Sequence, residues 1–87
     1  MQLSEAKALV EAALGTPGDE WLGRTGDKYV SWSGNLKSGP ELVMSRQRGK
    51  TAVWVLGCRV YRRIAVTCAD DLEELIELYE EACSGQR

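Results

Sequence analysis

The chain has 87 residues, a formal net charge of −2, 44% hydrophobic residues, three cysteines and no histidine. This length corresponds to one small domain, residues 1–87, whose core supplies only a few kcal/mol of net stability. No apolar run approaches the ~20 residues of a membrane-crossing helix and no basic, then apolar, leader opens the sequence, so a cytoplasmic protein without a membrane partner is expected.

A first helix is predicted from Glu5 to Leu14, capped by Ser4 and ended by Gly15 and Pro17. Its apolar stripe is Leu3, Ala6, Leu9, Val10, Ala13 and Leu14. Residues 15–27 hold four glycines and one proline and read as loop, with Trp21 and Leu22 plugging the edge of the core. Strands are expected at Lys28–Ser33, Glu41–Gln47, Thr51–Leu56 and Val60–Val66. The last two form a hairpin about Gly57-Cys58, and Arg48-Gly49 turns the preceding pair. A second helix starts at Thr67-Cys68-Ala69-Asp70, a capping-box spacing, and Ser84-Gly85 stops it. Leu72, Leu75, Ile76, Tyr79 and Cys83 recur along it at helical spacing. The expected fold is therefore α+β: an antiparallel three- to four-stranded meander flanked by an N-terminal and a C-terminal helix.

Side chains alternate across a strand, so the hairpins sort residues into two faces. One face carries Leu42, Met44, Val53, Val55, Val60, Ile64 and Val66, with Arg46 and Arg62 among them. It is apolar enough to receive the second helix, and the two arginines would sit at its rim, relieving repulsion between that helix's carboxylates. The other face is mixed, with Lys50, Trp54, Arg59, Tyr61 and Arg63, and it pairs Trp54 with Tyr61 across the hairpin. The first helix or the Trp21–Trp32 segment would cover this second face if it is structural.

Charge is segregated along the chain. Residues 24–63 hold nine cations and two carboxylates, a net +7, whereas the remainder nets −9. Within the second helix stand Asp70, Asp71, Glu73, Glu74, Glu77, Glu80 and Glu81, without a lysine or arginine. Two electrostatically distinct surfaces are expected.

Catalytic signals are weak. No histidine is present to act as a base, and the carboxylates lie mostly on one helix rather than converging in a cleft. Gly49-Lys50-Thr51 matches the end of a phosphate-binding loop, but Met44 replaces its first glycine and a strand follows instead of a helix. Cys58, Cys68 and Cys83 lack the paired short spacings of a zinc site. No catalytic residue, metal or cofactor is expected.

The element order resembles that of the double-stranded RNA-binding domain. That family carries a lysine-rich segment where this chain has Asp70-Asp71-Leu72-Glu73-Glu74, so the resemblance stops at the order and assigns no family. The leading functional expectation is a non-catalytic protein-binding module, a small accessory or inhibitory protein of the phage type. It would present its acidic helix as a nucleic-acid mimic to a basic partner. The alternative is nucleic-acid binding through the basic-aromatic sheet face, where bases stack on aromatic rings.

Overall fold

The computed structural model describes residues 1–33, 39–47, 49–57 and 60–84. Helix α1 (Leu3–Leu14) is followed by β1 (Asp19–Leu22), β2 (Lys28–Ser33), β3 (Glu41–Gln47), β4 (Lys50–Gly57), β5 (Val60–Val66) and helix α2 (Ala69–Ser84). The strands form one antiparallel sheet in the order β1-β2-β3-β4-β5. The α+β class is as expected, but the sheet has five strands rather than three or four.

The additional strand is β1, within the segment read as loop. Its four residues, Asp-Glu-Trp-Leu, are all exposed, so no alternation of burial marks it. Pairing with β2 sets it in place, with Glu20 opposite Val30 and Trp21 opposite Tyr29. Gly18 makes the approach possible, since a Cβ there would lie 2.6 Å from both Val30 Cγ1 and Trp32 Cζ2. Trp32 Nε1 donates to the Thr16 carbonyl at 3.0 Å and the Gly18 N–H donates to Glu11 at 2.9 Å, fastening this segment to β2 and to α1. Trp21 and Leu22 do not plug the core; they are 44% and 71% exposed.

Both helix starts differ in register from expectation. Helix α1 begins at Leu3, with Gln2 as a cap that makes no side-chain bond. The Ala6 N–H to Gln2 carbonyl bond closes its first turn, so Ser4 lies inside the helix. Gly15 ends α1 in the left-handed conformation, φ 73°, a geometry glycine adopts without strain. At α2 the capping carboxylate is Asp71, not Asp70. Its Oδ2 accepts from the Thr67 N–H and hydroxyl and from the Cys68 N–H.

In the β4–β5 hairpin Gly57 pairs with Val60, Leu56 with Tyr61, Trp54 with Arg63 and Val53 with Ile64. The link is residues 58–59, one step beyond the expected turn; Cys58 and Arg59 lie outside the described residues, as do Arg48 and Gly85. The shift moves each partner by two residues, so the sorting into faces is unchanged.

The core shows which face the helices cover. Ala6 and Val10 of α1 and Leu72, Leu75, Ile76 and Tyr79 of α2 cluster with Val30, Trp32, Leu42, Met44, Val53, Val55 and Val66. Every strand residue in that cluster belongs to the same side of the sheet by register. Both helices therefore pack side by side on one face. Ile64 is only partly buried against this cluster, and Leu9 of the predicted α1 stripe is 42% exposed.

Candidate binding surfaces

The sheet face away from the helices gathers Trp21, Tyr29, Ser31, Val43, Ser45, Ala52, Trp54, Leu56, Tyr61, Arg63 and Ala65 by register. Among the described residues no helix lies over it. Small residues form its floor: Tyr29 stands opposite Ser45, which stands opposite Ala52, which stands opposite Ala65. That floor leaves room for the large rings on either side to lean across. Trp21 and Tyr29 stack with centroids 4.4 Å apart, and Tyr29 meets Trp54 edge-on at 6.3 Å. Arg63 places its guanidinium carbon 5.8 Å from the Trp54 ring centroid, within cation–π reach. Val43, Ser45 and Ala52 are buried on this face.

The expected Trp54–Tyr61 pair is replaced. Trp54 faces Arg63, and Tyr61 faces Leu56 and is 73% exposed. Lys50 is exposed at the β3–β4 turn, and Arg59 lies outside the described residues. Trp21 and Tyr29 were not among the residues predicted for this face. Tyr29 was legible from the alternation Tyr29-Val30-Ser31-Trp32, whereas Trp21 carried no signal until β1 was known to pair.

On the opposite side, α2 buries Leu72, Leu75, Ile76 and Tyr79 and turns its carboxylates outward. Asp70, Glu73, Glu74, Glu77, Glu80 and Glu81 are exposed, and Asp71 is half-buried. Asp71 serves the helix cap. The Thr67 N–H and hydroxyl, then the Cys68 N–H, hold its carboxyl below its ordinary pKa. Glu74 pairs with Arg62 at 3.0 Å. Among the described residues no other α2 carboxylate makes an ion pair. Arg46 does not reach α2, and donates instead to Gln2 Oε1 and to the Gly49 carbonyl.

Among the described residues, no three His, Cys, Asp or Glu side chains gather into a metal-binding group. No helix among them is long and apolar enough to cross a membrane. Compared with family models, curated proteins and solved structures, the chain matches none.

Proposed function

We propose that this chain is a non-catalytic binding module whose working surface is the open sheet face, with single-stranded nucleic acid as the ligand class. The observation that carries this reading is the aromatic series from Trp21 through Tyr29 to Trp54, ending on Arg63, with no helix above it among the described residues. Bases stack on exposed rings for ~1–3 kcal/mol each and tolerate sequence change, because every base has a π face. Trp21 and Tyr61 are the rings of this face with the most exposed surface. Arg63 and Lys50 supply positive charge beside them.

The net charge of −2 does not oppose this surface strongly. Asp19 and Glu41 stand on this face by register, opposite Ser31 and Leu56, but the carboxylates of α2 lie on the far side of a molecule measuring 37 × 29 × 22 Å, and the Debye length at physiological salt is about 8 Å. The test is a titration with a thymidine oligonucleotide, read by tryptophan fluorescence. Quenching that saturates, weakens steeply with salt and is lost in Trp21→Ala and Tyr61→Ala supports the reading. Folded protein that shows no salt-sensitive response overturns it.

A second reading is supported by a separate observation. Glu73, Glu77, Glu80 and Glu81 are exposed and make no ion pair among the described residues. They form a stripe suited to a basic protein partner, as expected of a small accessory or inhibitory protein. Changing Glu73, Glu77 and Glu80 to Lys abolishes capture of such a partner and leaves sheet-face binding intact or stronger. Replacing Trp21 and Tyr61 has the converse effect.

A further inference from the structure

A cleft of about 200 Å³ opens at one end of the sheet, where the β3–β4 turn meets the start of α1 and the junction of β5 with α2. Gln2, Arg46, Lys50, Thr51 and Thr67 line it, and among the described residues that line it none is a carboxylate. Sites for drug-sized ligands run to roughly 300–1,000 Å³, so this cleft takes something smaller. Among the described residues its charged side chains are Arg46 and Lys50. The Arg46 guanidinium donates to two neutral acceptors, Gln2 Oε1 and the Gly49 carbonyl, and among the described residues its other three N–H groups have no acceptor. Among the described residues neither Arg46 nor Lys50 makes an ion pair. The Asp71 carboxylate is bonded through Oδ2 to Thr67, which lines the cleft, and to Cys68.

We propose that this cleft is a binding site for a phosphate group, free or as a monoester. Arg46 suits the role because a planar guanidinium held in place matches two phosphate oxygens at once, and Lys50 adds a point charge. The two cations come from opposite faces of the hairpin, Arg46 from the helix side of β3 and Lys50 from the aromatic side of β4. Both line the cleft, at the end of the hairpin where Arg46 is opposite Thr51 and Gln47 opposite Lys50. The site does not rest on the nucleic-acid reading, since free phosphate satisfies it equally.

The test is an amide NMR titration of the full chain with sodium phosphate at constant ionic strength. Saturable shifts are expected at Gly49, Lys50, Thr51 and Thr67. Losing a hydrogen-bonded charge removes about tenfold in affinity, so Arg46→Gln weakens binding by about that factor. Lys50→Gln provides the control for folding, because this exposed side chain makes no ion pair or side-chain hydrogen bond among the described residues, and it too weakens binding. A second arm compares 5′-phosphorylated with unphosphorylated oligonucleotide. A gain from the terminal phosphate that disappears in Arg46→Gln identifies a strand end as the source; no gain, with free phosphate still saturating, identifies a small anion. Non-saturating shifts spread over the surface lysines, or unchanged affinity in both variants, overturn the proposal.

Discussion

Trp21 of β1 and Tyr29 of β2 lie ring on ring, with centroids 4.4 Å apart and planes only 9° from parallel. They are directly opposite in the register, and Trp21 Nε1 also donates to Ser31 Oγ at 3.1 Å. Strand β1 has four exposed residues and no buried side chain of its own. Besides backbone pairing, its attachment comes from this stack and from Glu20, which meets Lys7 at 3.0 Å and Lys28 at 3.6 Å.

Removing the stack should loosen β1 before it unfolds the domain. Such aromatic pairs contribute about 0.5–1.5 kcal/mol beyond their buried area. A double-mutant cycle on Trp21→Ala and Tyr29→Ala is expected to return a coupling in that range. Amide exchange at Gly23, whose N–H donates to the Asp27 carbonyl at the end of the β1–β2 ladder, is expected to accelerate in Trp21→Ala while β4 stays protected. Zero coupling would show that backbone pairing alone holds β1.

The core prediction separates fully buried from partly buried positions. Leu75 has no exposed surface, and Leu75→Ala should cost about 2–5 kcal/mol. Ile64 is only partly buried, so Ile64→Ala should fall at or below the lower end of that range. Urea denaturation of both variants checks the order, and a larger loss at Ile64 would contradict the packing described.

These positions also show what the sequence revealed. Alternation in β3, β4 and β5 placed Val53, Val55 and Leu42 on one side and Trp54, Tyr61 and Arg63 on the other. That sorting survives a two-residue error in partner, because the period of a strand is two. The same alternation marks the Val53 side as apolar enough for α2, and α2 packs there. It does not place α1, which could equally have covered the Trp54 side. That choice lies in long-range packing of Ala6 and Val10 against the core, which no local pattern encodes. Strand β1 was hidden for a related reason, since its pairing depends on a neighbour rather than on its own composition.

Asp71 gives α2 a pH-sensitive start. Its folded pKa lies below the ordinary 3.8, so the ionised form favours the folded chain. That contribution is fully present above the ordinary value and is lost as pH falls through the folded value. Asp71→Asn should lower Tm at pH 7, and the gap from the parent should close as pH is taken below about 4. A gap independent of pH would mean that the carboxylate charge plays no part.

The Arg62–Glu74 pair is more than half exposed on both sides. Such pairs contribute about 0–1 kcal/mol and weaken in salt. Arg62→Ala should therefore lower stability slightly at low ionic strength and by less in 1 M salt. A loss of several kcal/mol would point to an additional partner for Arg62.

The meander has a consequence for how the chain assembles. Each strand pairs with its neighbour in sequence, so every hairpin closes over a short connection at low entropic cost. Helix α2 follows directly on β5 and packs against it and β4. Helix α1 is the exception: it meets α2 from the other end of the chain, and the Thr51 hydroxyl reaches back 50 residues to the Met1 carbonyl. Contacts that distant are slow to form relative to local ones. During synthesis α1 emerges first, yet its apolar side, Ala6 and Val10, finds its full complement last, when α2 arrives to lie beside it.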